Sequence, residues 1–209
     1  MDMRLKKFKN WNNFYKKNKG NQYPDNFIII MLLQEFKHLS FRERNKINIL
    51  DLGMGGGANL FFLHNENFKT FGVDFSKKAY DTVKIKIIKL KLDIDLKCAD
   101  FTSLPYEDSK FDVVIDCRSL QHKQNYLLDQ SLKEIKRVLK KNGKFFSIFM
   151  NNEDPKSGFY TNYLTKKEIK KKLTRYFNII DFGFLKFSFS STTKTEHSLW
   201  ISKSIRKSL

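Results

Sequence analysis

Four carboxylates and one run of glycines are spaced along this chain as the ligand-facing ends of successive strands would be. Asp51 stands two residues before Gly53, and Gly53, Gly55, Gly56 and Gly57 put four glycines in five positions. Asp74, Asp100 and Asp116 follow, each at the end of a short apolar or alternating run. Glycine reaches backbone angles closed to other residues and, having no side chain, lets a ligand lie against the main chain. A helix that starts at such a turn aims free N–H groups at whatever is bound. The chemistry implied is the holding of a nucleotide-like ligand. Asp74, 21 residues after Gly53, stands where ribose hydroxyls need an acceptor. Asp100 is placed to accept from an exocyclic amine, with Phe101 beside it to cover a base.

Such residues need strands to bring them into register. Ile47 to Leu52 alternates apolar and polar residues into the glycine turn, and a helix from about Asn59 to Asn65 follows. Lys69 to Val73 reads as a second strand, Lys77 to Lys91 as a helix, Asp95 to Ala99 as a third strand, and Phe111 to Ile115 as a strand covered on both faces. Leu127 to Lys141 reads as an amphipathic helix stopped by Asn142 and Gly143, with a fifth strand over Lys144 to Met150. After a polar loop, Asn151 to Gly158, comes a basic helix from Thr165 to Arg175 with Thr165 and Glu168 as a capping box. Two strands without a helix between them close the chain, over about 177–187 and 197–202. The fold expected is α/β: a Rossmann-like, doubly wound, seven-stranded and mostly parallel sheet with an antiparallel C-terminal strand pair.

Residues 1–40 read as a helical arm or cap belonging to the same domain as 41–209. The first 25 residues alternate basic and aromatic side chains, Phe8, Trp11, Phe14, Tyr15 and Tyr23 among them. At helical spacing these form an apolar face that packs on the chain's own body. Asp25 or Asn26 then caps a helix to about Leu39, with Phe27, Ile30, Met31 and Phe36 turned inward.

Composition limits the function classes. Hydrophobic residues at 41%, 21 Phe among them, exclude a disordered chain. The excess of 40 Lys and Arg over 22 Asp and Glu gives a net charge of +18, which favours anionic partners. Lys and Asn are abundant together with Ile and Phe, a bias that an AT-rich coding sequence imposes on any protein, so the charge alone is weak evidence for nucleic acid. Cys98 and Cys117 read as buried thiols in a reducing compartment. With its longest apolar run at Phe27 to Leu33, far short of the ~20 residues that span a bilayer, the chain is expected to be cytoplasmic.

The glycine turn by itself leaves two ligand classes open, because Gly53, Gly55 and Ala58 also satisfy the G-x-G-x-x-A pattern of nicotinamide-dependent dehydrogenases. Asp51 in front of the loop opposes a pyrophosphate and suits a cationic group, such as an ammonium or a sulfonium. Taken together, Asp51-Leu52-Gly53-Met54-Gly55-Gly56-Gly57, Gly72-Val73-Asp74-Phe75-Ser76, Ala99-Asp100-Phe101, Leu104-Pro105-Tyr106 and the helix and strand from Ser131 past Gly143 resemble the class I S-adenosylmethionine-dependent methyltransferases, in their small-molecule (methyltransferase-domain 11/25-like) branch. The likeness covers about residues 45 to 150. It implies that Gly53, Gly55 and Gly57 approach the methionine part of S-adenosylmethionine, that Asp51 sits near its ammonium, that Asp74 holds the ribose, and that Phe75 also belongs to the cofactor site. Asp100 and Phe101 would take the adenine, and the stretch Asp116 to His122 would face the methyl group, with His122 as the candidate base. No metal site is expected.

The acceptor is less legible. The Asn/Asp-Pro-Pro-Tyr/Phe run of base N-methyltransferases is absent from Asp116-Cys117-Arg118-Ser119, and Cys117 lacks the proline that precedes the attacking cysteine of cytosine-C5 enzymes. The reading that remains is in-line methyl transfer to an O or N atom of a small anionic metabolite, of surface-glycan or secondary metabolism, received by Tyr23, Arg118 and Lys123. RNA methylation or RNA binding through the basic surface is the alternative.

Overall fold

The computed structural model describes residues 11–18, 20–150, 164–188 and 196–207; Phe8 and the loop Asn151 to Gly158 lie outside them. A helix over 11–17 (α1) precedes α2 (Asn26–Phe36) and α3 (Phe41–Arg44). Then come β1 (Asn48–Leu52), α4 (Ala58–Asn65), β2 (Lys69–Asp74), α5 (Lys77–Leu90), β3 (Ile94–Cys98) and β4 (Phe111–Cys117). A 3-10 turn (Leu120–His122), α6 (Asn125–Val138), β5 (Leu139–Met150), α7 (Lys166–Leu173), β6 (Phe177–Ser188) and β7 (Glu196–Arg206) complete the chain.

The seven strands form one sheet in the order β3-β2-β1-β4-β5-β7-β6. Strands β1 to β5 are parallel to one another, and β7 runs antiparallel between β5 and β6. The chain winds outward from β1 to β3, then crosses to β4 on the other side of β1. That reversal opens a crevice beyond the carboxyl ends of β1 and β4, which is where open α/β sheets bind ligands. Register fixes what lines it: Leu52 is level with Val73 and with Asp116, and Asp74 with Cys98.

Period-two burial builds the layers. Leu50, Val114 and Phe145 face a core shared with Leu128, Leu132 and Ile135 of α6 and with Ile169 and Leu173 of α7. Their neighbours Ile49, Val113 and Phe146 face the other way, against Ile28, Leu32 and Phe36 of α2 and Leu63 of α4. Each such Leu, Ile or Phe, fully buried, contributes roughly 1.5–3 kcal/mol. The helical arm is therefore continuous with the core on one face of the sheet. Within α2 the inward set differs from the expectation: Asp25 caps the helix, and the phase this sets buries Ile28, Met31, Leu32 and Phe36 while Ile30 is exposed.

Two further expectations are corrected. Helix α6 ends at Val138, and β5 already begins at Leu139, which pairs with Phe111 before the register jumps to Lys144 against Val113. Asn142 (φ 63°) and Gly143 thus sit in an irregularity within the strand instead of ending the helix. Cys98 is exposed, because β3 is an edge strand whose last residues α5 does not cover. The Thr165–Glu168 capping box is present on α7. Among the described residues no helix is long and apolar enough to cross a membrane.

Candidate active site

The turn after β1 is locked before any ligand is considered. The Gly53 and Met54 amides both donate to the carbonyl of Val73, at 2.8 and 3.2 Å, and the Gly57 amide donates to Met54 O. Gly53 has φ 78° and Gly55 has φ 53°, angles at which a side chain costs about 1–2 kcal/mol. Space enforces the same choice. A Cβ on Gly53 would stand 2.1 Å from Ser119 Oγ, and one on Gly55 2.4 Å from the Tyr15 hydroxyl. Gly57, expected at the ligand, is not part of the cavity wall: its φ of 85° starts α4, and a Cβ there would meet Phe61.

A cavity of about 390 Å³ opens over this loop. Gly53 to Gly56 form its floor, Asp74, Phe75 and Phe101 one wall, and the segment from Cys117 to Lys123 (Leu120 excepted) another. The N-terminal arm roofs it with Trp11, Phe14, Tyr15, Gly20, Asn21 and Tyr23. Asn12 fastens that roof: its Oδ1 accepts from Ser76 Oγ at 2.9 Å and from the Lys78 amide at 3.0 Å, at the start of α5. Ser76 also donates its amide to Asp74 Oδ1 at 2.8 Å, and Gly55 donates to Asp74 Oδ2 at 2.9 Å. The glycine loop, the acid of β2 and the arm are thereby one hydrogen-bonded unit.

Three buried carboxylates stand at the ends of β1, β2 and β4. Burial, with Asp74 and Asp116 nearby, pushes Asp51 up to about 8. Burial raises Asp116 to about 7 and Asp74 to about 6, in each case against N–H donors that favour the charged form. Asp116 Oδ1 accepts from the Ser119 and Leu120 amides, which shapes the 3-10 turn. Asp51 Oδ2 and Asp116 Oδ2 have no partner among the described residues. Such orphaned oxygens cost about 1–3 kcal/mol each, and a cationic ligand group would satisfy them and restore their charge. A ligand combining an ammonium or sulfonium with a ribose and a flat base fits these residues.

The expected site residues divide as follows. Gly53, Gly55, Asp74, Phe75, Phe101, Arg118, His122 and Tyr23 all line the cavity, and Asp51 and Asp116 lie buried behind its wall. His122 meets the edge of Trp11, ring centroids 5.0 Å apart. Asp100 is outside the lining, and its carboxylate is already engaged: Oδ1 accepts from the Thr102 amide and hydroxyl, and Oδ2 from Lys123 Nζ at 2.8 Å. Arg118, expected to face a substrate anion, has its guanidinium 3.0 Å from Asp25 Oδ2. Lys123, expected on a basic rim, is buried. Cys117 lies beside Asp25 and Arg118, and burial pushes its thiol up to about 12. Sequence reasoning missed Tyr15, Asn12 and Gln121 as site residues. The aromatic spacing of the arm gave a signal for Tyr15; nothing local marks Asn12, or Gln121, whose Oε1 accepts from the Met150 amide at 2.7 Å.

The chain is similar to known methyltransferases. A family model described as "Methyltransferase domain" matches residues 50–147. A ubiquinone biosynthesis O-methyltransferase of Pelagibacter ubique is 32% identical over 146 residues, 69% of this chain and 57% of that protein. A tRNA N(3)-cytidine methyltransferase of Mus musculus is 36% identical over 78 residues, 36% of this chain and 28% of that protein. A crystallised protein of Pyrococcus horikoshii OT3 superposes with a TM-score of 0.66 at 21% identity, covering 93% of this chain and 99% of its own, which shows the fold. The chain spans about three fifths of the length of the first curated relatives it matches. Residues 50–147 thus match the methyltransferase domain family, on the seven-stranded sheet expected of a class I S-adenosylmethionine-dependent methyltransferase.

Proposed function

We propose that the chain moves a methyl group from S-adenosylmethionine to an O or N atom of a small molecule by direct in-line transfer. The observation that carries this reading is the glycine loop after β1 meeting Asp74, Phe75 and Phe101 in one cavity, with the buried, unpartnered carboxyl oxygens of Asp51 and Asp116 behind its wall. S-adenosylmethionine, when bound, supplies a methyl group on a sulfonium that leaves as a neutral thioether. In this reading Asp51 holds the ammonium, Asp74 accepts from the ribose hydroxyls, and Phe75 and Phe101 cover the base. His122 takes the acceptor's proton on an imidazole nitrogen as the new bond forms, and the arm excludes water over the cavity.

The acceptor enters beneath Trp11 and Tyr23. An anionic metabolite, the kind expected, reaches Arg118 by sharing its guanidinium with Asp25, and that competition lowers the benefit of a negative charge. Charge reversal at Arg118 that leaves acceptor binding unchanged overturns the anion assignment. Calorimetry with S-adenosylhomocysteine and NAD side by side tests the main reading: binding of the first alone supports it, and binding of NAD alone returns the chain to the dehydrogenase class.

A second reading, methylation or binding of RNA, rests on α7, where Lys166, Lys167 and Lys171 are exposed, and on the likeness to a tRNA enzyme. Tight RNA binding with a steep salt dependence in a gel-shift titration favours it.

A further inference from the structure

Two side-chain amides in the cavity are fixed the same way round. Gln121, in the 3-10 turn after β4, accepts the Met150 amide on Oε1 at 2.7 Å. Asn59, in the first turn of α4, accepts the Asp25 amide on Oδ1 at 2.9 Å. A backbone N–H can only donate, so in each case the oxygen is taken and the NH2 is the end that remains. Both residues line the cavity, and neither NH2 has a hydrogen-bond partner among the described residues. Gln121 is the sharper case. It is 1% exposed, so the open space its NH2 borders is the cavity, and a buried donor left without a partner is costly. The two amides belong to one end of the site. Asn59 is joined through Asp25 to Arg118 Nη2, 3.0 Å from Asp25 Oδ2, and the Arg118 amide donates at 3.0 Å to Ile148 O, two residues before Met150 on β5. Phe75 and Phe101 follow β2 and β3, whereas Arg118, Gln121 and Met150 stand at the ends of β4 and β5 on the other side of β1.

We propose that Gln121 selects the methyl acceptor: its NH2 donates to an oxygen that carries no hydrogen, a carbonyl or carboxylate oxygen of the substrate, with Asn59 and Arg118 adding N–H groups at the same end. This deepens the methyltransferase reading and rests on it, since a cofactor with its base at Phe75 and Phe101 leaves the β4–β5 end for the acceptor. The chemistry is selective. An ammonium or an amide N–H in that position would set N–H against N–H, and a hydrocarbon would leave the Gln121 NH2 as unpaired as it is without a ligand. The Met150 amide keeps the side chain from rotating to offer its oxygen instead, because turning it over would break that bond and bring two donors face to face. The oxygen so held is a recognition group separate from the atom that is methylated, because lone pairs engaged by N–H donors are withdrawn from attack. Gln121 is therefore a specificity residue, and the substrate class it fits is a ketone, quinone or carboxylic acid that carries its nucleophilic atom elsewhere.

The test uses the chain saturated with S-adenosylhomocysteine and two fragments that differ only in C=O against C=CH2, 4-hydroxyacetophenone and 4-isopropenylphenol. Each is titrated against nitrogen-15-labelled protein, so that NMR reads both the affinity and the side-chain NH2 signals. The ketone is expected to bind wild type about five-fold more tightly than the alkene and to move the Gln121 NH2 signal further. Gln121→Met, similar in volume but without an N–H, should bring the two affinities together. Losing the anchor on Met150 would by itself weaken both fragments alike, so the ratio separates recognition from a structural role. Equal binding of the two fragments to wild type, no binding of the ketone, or a preference that persists in Gln121→Met overturns the proposal and leaves the cofactor reading standing. Failure of S-adenosylhomocysteine to bind removes the cofactor reading, and this proposal with it. The NH2 signal is read on wild type, so a variant that fails to fold does not blunt the test: ketone binding that leaves that signal in place overturns the proposal.

Discussion

The amide of Gly55 donates to Asp74 Oδ2 at 2.9 Å, which ties the ligand-binding turn after β1 to the acid that ends β2. Asp74 therefore shapes the loop, and in the proposed function its remaining lone pairs are those that would accept from a ribose. Asp74→Ala is expected to lose most S-adenosylhomocysteine affinity while the sheet persists, since the backbone pairing of β2 with β1 and β3 does not use the side chain. Circular dichroism with calorimetry checks both halves, and unchanged affinity means the ribose assignment is wrong.

The buried acids make ligand-free stability depend on pH in an inverted sense. Asp51 at about 8, Asp116 at about 7 and Asp74 at about 6 all lie above the ~3.9 of an unfolded aspartate. Each keeps its proton in the folded state where the unfolded chain has lost it, so the folded state binds more protons and stability falls as pH rises from about 4 to about 8. The Tm of the ligand-free chain should decline between pH 6 and pH 8. Asp51→Asn removes the group that titrates last and should flatten the fall; a variant that keeps the wild-type slope means that the pH dependence does not arise from Asp51.

The two kinds of glycine in the loop should separate experimentally. Gly55→Ala forces a side chain onto a positive φ and drives a methyl group into the Tyr15 hydroxyl, so it should weaken ligand binding as well as lower stability by about 1–2 kcal/mol. Gly57→Ala carries a similar backbone cost and a contact with Phe61, away from the cavity. Melting curves should place the two variants close together, while calorimetry should leave Gly57→Ala within a few-fold of wild type. Equal binding losses would argue that Gly57 touches the ligand after all.

The arm should loosen without the body unfolding. Asn12→Ala deletes both hydrogen bonds that fasten α1 to the start of α5, about 1 kcal/mol each. Hydrogen exchange over residues 11–17 is expected to speed up while β1 and β4 stay protected, and ligand dissociation should quicken. Exchange that rises evenly through the sheet would show that the arm is structural core instead of a roof.

Much of this molecule was legible in one dimension, and the legible part has a common cause. A strand that ends in a ligand site must end in a turn, so Asp51 through Gly57 announces strand, turn and helix at once, and Asp74 and Asp116 sit where apolar runs stop. Sheet register then follows, because parallel strands that stop at their turns bring their carboxyl ends level. The capping box of Thr165 and Glu168 was readable for the same reason: every partner lies within four residues. What the sequence could not decide were matters of distance across the chain. Whether Lys123 pairs with Asp100, Arg118 with Asp25, or Asn12 with Ser76 depends on loops that meet only after the sheet has formed, and charges that read locally as a basic rim are half neutralised by those meetings. The inward face of α2 turned on which residue caps it, and the exposure of Cys98 on β3 being an edge. Local rules marked the turn for a nucleotide-like ligand; only the packing of distant segments determined which side chains are left to receive it.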